Sequence, residues 1–73
     1  MAINRIESLV TGTVWKIERQ TGDTVAKGET VLIIESMKME IPMDAPAAGV
    51  LQDLLVAEGD SVSEGQVLAV VSS

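Results

Sequence analysis

Gly22-Asp23-Thr24-Val25-Ala26-Lys27-Gly28 returns later in the chain as Gly59-Asp60-Ser61-Val62-Ser63-Glu64-Gly65. The offset from Gly22 to Gly59 is 37 positions, and it holds without a gap over a longer stretch. Gly12 falls on Gly49, Ile17 on Leu54, Asp23 on Asp60, Val25 on Val62, and Ile33-Ile34 on Val70-Val71. Glycines in register weigh more than apolar matches, because glycine is placed where the backbone needs positive φ or a close approach. The copies read from Thr11 to Ser36 and from Ala48 to Ser73. Two copies make an internally duplicated domain and not a solenoid.

The duplication decides the local structure. Gln52 to Glu58 alone reads as a short helix ending at Gly59, but its counterpart, Trp15 to Thr21, follows Thr13-Val14 and reads as strand. Equivalent positions share a conformation, so both are strands. Val14 and Ile17 cannot share one face of a regular strand, which predicts a bulge there. In order, strands are expected from about Ile3 to Leu9 (Ile3, Glu7 and Leu9 on one face), Thr13 to Glu18, Thr24-Val25, and Glu29 to Glu35, the last apolar on both sides. Met39 to Met43 follows, with Met39, Ile41 and Met43 on one face and Pro42 suited to an edge. Asp44-Ala45-Pro46-Ala47 links the halves, and the second copy repeats the pattern to a last strand over Gln66 to Ser72. Many short strands with glycine turns give an all-β sandwich or flattened barrel, here two half-sheets related by a pseudo-twofold axis.

Seventy-three residues predict one small domain, residues 1–73, with a modest core. There is no cysteine and no histidine, which excludes disulfides, thiolate zinc sites and Cys/His catalysis. Trp15 is the only aromatic residue and the net charge is -6, so nucleic-acid binding is not expected. Apolar runs are short, as in Val67 to Val71, and the acidic chain does not favour an anionic membrane. Met1 to Glu7 has no long apolar segment behind its basic residue, so the expected location is cytoplasmic. Acids are plentiful, but no set of base, nucleophile and oxyanion donors is visible. No catalytic residue and no metal site is expected.

What remains is the stretch where the first copy ends: Glu35-Ser36-Met37-Lys38-Met39-Glu40-Ile41-Pro42. It reads as a hairpin tip that presents Lys38. The ordinary reading of a turn lysine is a solvated surface residue. A catalytic reading needs a pKa lowered by burial or nearby cations, and the neighbours here are Glu35 and Glu40. At pH 7 only about one ordinary lysine amine in 10³ is neutral, so another protein must supply any activated acyl group and base. The third reading is an attachment point. Met37 and Met39 cannot both turn inward beside an outward Lys38, and an exposed methionine suits contact with a partner. Because the tip lies where copy one ends and the C-terminus where copy two ends, the two should sit at opposite ends.

Met37-Lys38-Met39 at the central turn of a duplicated β domain resembles the biotinyl domain of biotin-dependent carboxylases, the biotin carboxyl carrier proteins of the biotinyl/lipoyl-attachment family. Gly12-Thr13-Val14, Gly22-Asp23-Thr24-Val25, Lys27-Gly28, Gly49, Glu58-Gly59-Asp60 and Glu64-Gly65-Gln66 match as well, so the resemblance covers nearly the whole chain. Ser36 stands where the family has alanine, and Ser8-Leu9-Val10-Thr11 lacks the proline often found there. The resemblance implies a barrel-sandwich hybrid of two four-stranded half-sheets, and no enzyme activity. It implies covalent biotin on Lys38, transferred from biotinyl-adenylate by a biotin-protein ligase. A biotin carboxylase would then load a carboxyl group, and a carboxyltransferase would unload it. Glu35, Ser36, Met37, Met39 and Glu40 would be the recognition residues, and the domain is expected to be a monomer. Lipoyl domains share the fold and typically read Asp-Lys-Ala at the turn, which places lipoate behind biotin, with dual modification as a variant. A β docking module without any cofactor is the remaining alternative.

Overall fold

The computed structural model describes residues 2–73, all in β-strands, turns and loops. The strands are β1 (Ile3–Glu7), β2 (Gly12–Ile17), β3 (Thr24–Val25), β4 (Thr30–Ser36), β5 (Met39–Asp44), β6 (Gly49–Leu54), β7 (Ser61–Val62) and β8 (Val67–Ser72). They form two antiparallel four-stranded sheets, ordered β1-β8-β6-β3 and β5-β4-β2-β7. Each strand of the first sheet stands where its counterpart 37 positions away stands in the second. Each sheet takes two strands from either half of the chain, so neither half can bury its apolar face alone.

The repeat reaches further than the sequence match at Thr11 suggests. β1 and β5 are counterparts, with Ile6 and Met43 both buried, and so are Ser8 and Ala45. Residues 2–36 and 39–73 are thus two matching segments, joined through Met37-Lys38. The turns repeat bond for bond. Gly22 N–H donates to the Leu51 carbonyl at 2.8 Å, and Gly59 N–H to the Val14 carbonyl at 2.8 Å. Both glycines hold positive φ, 97° and 93°, as a residue without Cβ does at little cost.

Leu32, Ile34, Leu51 and Leu68 are fully buried between the sheets. Each such side chain contributes about 1.5–3 kcal/mol of transfer free energy. The bulge expected in the second strand is present: the β2–β4 register shifts between Val14 and Lys16, and β6–β8 shifts in the same way between Leu51 and Asp53. It turns Trp15 outward, 47% exposed, while Val14 is buried and Ile17 packs against the core. Gln52-Asp53-Leu54 lies in strand as its counterpart requires, although β6 stops at Leu54.

Two expectations shift. β1 ends at Glu7, and Leu9 lies beyond it, exposed in a bend. The face carrying Ile3 and Glu7 looks to solvent, because Ile6 and the buried Ser8 occupy the inner one. The segment Asp44 to Ala47 is more than a link. Ala45 is buried and holds both ends of a bridge, its carbonyl accepting from Gly28 N–H and its N–H donating to the Glu29 carbonyl, each at 2.8 Å. Pro42 sits on an edge strand, as a residue without an N–H should.

The termini meet: Ala2 N–H donates to the Ser73 carbonyl at 3.0 Å and Ser73 N–H to the Ala2 carbonyl at 2.9 Å. The β4–β5 tip lies at the other end of a body 36 Å long and 19 × 18 Å across. Bonds from Ser36 to Thr11, from Glu64 to Thr11 and from Gly65 to Ser8 put the start of β8 beside the tip. β8 then runs away from it to the termini.

Candidate functional site

β4 and β5 close with Ser36 opposite Met39 and Glu35 opposite Glu40, which leaves Met37 and Lys38 as a two-residue connection. Of the two turn types that suit hairpins this tight, type I′ takes positive φ at both central residues, which matches the strand twist. Met37 has φ 52° and Lys38 φ 66°. Asn-Gly is the usual choice for such a pair, and for most other residues the Cβ costs about 1–2 kcal/mol per residue in that region. Strain of this kind persists where the surroundings over-determine the backbone, and it gathers at functional sites.

The surroundings here are specific. Gly12 packs so closely on β4 that a Cβ would stand 2.3 Å from the Glu35 carbonyl oxygen. Ser36 Oγ donates to the Thr11 carbonyl at 2.9 Å, and Thr11 Oγ1 accepts from Glu64 N–H at 3.1 Å. Below them Ile34 is fully buried. The stem is fixed to both halves of the molecule while the two tip residues stand clear.

Lys38 is exposed, Met37 is 92% exposed and Met39 64%. Two large apolar side chains thus flank an amine in water. Glu35 and Glu40 are exposed and face each other across the hairpin, a like-charge pairing that costs stability. The ion pairs among the described residues are Lys16–Glu18 and Arg19–Glu29, and Lys38 belongs to neither. An amine so placed can reach an acyl donor held by another protein. The structure gathers all six residues singled out in the sequence at this tip, with Ser36 turned partly inward as a brace. Thr11 and Gly12 were not foreseen as its supports. Gly12 had a signal, its register with Gly49; Thr11 had none, since its counterpart is Ala48.

The sequence family described as "Biotin-requiring enzyme" matches residues 4–71. The chain is 45% identical over 62 residues to a biotin/lipoyl attachment protein of Bacillus subtilis, covering 85% of each chain. It is 34% identical over 67 residues to a biotinylated protein TB7.3 homolog of Mycobacterium leprae, covering 92% of this chain and 94% of that one. It is also 45% identical over 65 residues to the dihydrolipoyllysine-residue succinyltransferase component of the 2-oxoglutarate dehydrogenase complex of Staphylococcus saprophyticus, covering 89% of this chain but 15% of that one. Among solved structures it superimposes on the urea carboxylase of Kluyveromyces lactis with a TM-score of 0.93 at 35% identity, covering 99% of this chain and 6% of that one.

Proposed function

The chain belongs to the biotin/lipoyl attachment family, and from that premise we propose that it is a cytoplasmic, monomeric carrier domain whose Lys38 bears biotin. The observation that carries the proposal is one exposed lysine on a strained two-residue turn, between two exposed methionines and at the far end from both termini. A biotin-protein ligase supplies the activated acyl group and the base. The Lys38 ammonium gives one proton to that base, its Nζ attacks the acyl carbon of biotinyl-adenylate, the acyl–phosphate bond breaks and AMP leaves, and a second proton is lost as the amide forms, so the turn loses its positive charge. Bound there, biotin supplies a ring nitrogen that takes up and gives back a carboxyl group.

The chain's own residues do the rest by position. Met37 and Met39 offer apolar contact to the ligase, then to a biotin carboxylase and a carboxyltransferase. Glu35 and Glu40, opposite each other, leave one face of the hairpin behind the tip acidic, which suits a partner with a basic rim. The braced stem keeps the amine in solvent, and the distant termini leave it free to visit two active sites. Tethering then supplies a high effective concentration at each.

A lipoyl group on the same lysine is the second reading, favoured by the identity with the succinyltransferase component. An unmodified docking module is the third, and it gives no reason for an unpaired lysine on a strained turn. Incubation with biotin-protein ligase, ATP and biotin, followed by streptavidin blotting, tests the first reading. The wild type should take the label and Lys38→Arg, which keeps the charge and the exposure, should not. Label on Lys38→Arg, or none on the wild type, would overturn it.

A further inference from the structure

The chain holds four methionines, and three of them, Met37, Met39 and Met43, fall within one hairpin. Their environments differ sharply. Met37 is 92% exposed and Met39 64%, whereas Met43, on the same strand face as Met39, is 2% exposed. With no cysteine in the chain, its sulfurs are all methionine thioethers.

We propose that Met37 and Met39 are a reversible oxidation site that controls acylation of the lysine between them. The oxidant is hydrogen peroxide. The thioether sulfur attacks one peroxide oxygen, the S–O bond forms as the O–O bond breaks, and the leaving oxygen departs as water with the protons of the peroxide. Sulfur is oxidised by two electrons, the peroxide is reduced by two, and no protein group has to donate or accept a proton. The sulfoxide is polar and chiral. An oxidised tip therefore offers a sulfinyl dipole where a partner expects an apolar side chain, and Lys38 goes unloaded although its amine is intact. Methionine sulfoxide reductases, one for each sulfoxide epimer, restore the thioether: two thiols are oxidised to a disulfide and the oxygen leaves as water.

The control of acylation rests on the attachment role of Lys38, while the oxidation pattern does not. The test treats the full chain with hydrogen peroxide over a time course and maps oxygen uptake by peptide mass spectrometry. Met37 and Met39 should oxidise roughly tenfold or more faster than Met43, which must wait for the hairpin to open. Uptake at Met43 at the rate of Met37 would overturn the proposal. The oxidised and untreated proteins are then compared as substrates for biotin-protein ligase and for lipoate-protein ligase. With whichever ligase loads the untreated protein, loading of the oxidised protein should slow about tenfold and recover with the reductases. The double variant Met37→Leu, Met39→Leu should lose the peroxide sensitivity. Equal loading before and after oxidation would sink the regulatory claim. An untreated protein loaded by neither ligase would sink both the attachment reading and the control built on it, leaving the oxidation pattern to stand on the mapping alone.

Discussion

Two residues of the tip occupy a region of backbone space that neither prefers. Met37 and Lys38 take φ 52° and 66° where asparagine and glycine are usual. The double substitution Met37→Asn, Lys38→Gly should therefore raise stability by about 1–2 kcal/mol in urea unfolding followed through Trp15. A loss of stability would show that the tip side chains support the fold. The opposite end has its own one-residue device. Glu29 Oε1 accepts from Ala26 N–H at 2.8 Å, and the carboxylate also pairs with Arg19. The backbone bond, and after it the guanidinium, hold the Glu29 carboxyl below its ordinary value of 4.5. A lowered pKa contributes stability that is present above the ordinary value and is lost as pH falls through the lowered one. In the second copy Gln66 makes the same bond, from Ser63 N–H at 3.0 Å, without charge. Glu29→Gln should then keep the turn, and its stability deficit should close as pH drops below about 4.5. A deficit that stays constant with pH would contradict the assignment. The sequence shows Lys38 and its neighbours at this scale but not the positive φ, because nothing in Met-Lys announces a left-handed pair.

At the scale of elements, the hairpin β4–β5 is held by how closely β2 approaches it. The contact occurs twice: a Cβ on Gly12 would lie 2.3 Å from the Glu35 carbonyl oxygen, and one on Gly49 would lie 2.3 Å from that of Ser72. The two are equal in distance, and both meet backbone, which cannot rotate away. Gly12→Ala and Gly49→Ala should each cost about 2–3 kcal/mol, read from urea midpoints at unchanged slope. A cost near zero at either position would mean that the strands part there without strain. Strands β2 to β8 were legible to within a residue or so, apart from the overlong reading at Gln52 to Glu58. The copies corrected each other, and the bulge at Val14 followed from two apolar residues three apart. β1 was read too long because Leu9 looks like a strand residue. The buried Ser8, whose Oγ donates to the Val10 carbonyl at 2.6 Å, turns the chain first.

For the whole molecule, the duplication explains where the lysine lies. Residues 2–36 and 39–73 match, so Met37-Lys38 occupies the joint that the paired ends Ala2 and Ser73 leave open on the other side. That pseudo-twofold relation places the tip and the termini at opposite ends, and the 37-residue offset makes it legible in the sequence. The side-chain braces at Thr11 were not legible, since they join residues distant in sequence, as Glu64 does. In the proposed role this body holds one amine, that of Lys38, away from the paired ends Ala2 and Ser73 to receive biotin. Intact mass and peptide mapping of the chain from cells that contain both biotin-protein ligase and lipoate-protein ligase test that claim most directly. The wild type should carry one biotin, on Lys38, and Lys38→Arg none. A wild type that carries lipoate alone, stays unmodified, or bears biotin on Lys16 or Lys27 would contradict it.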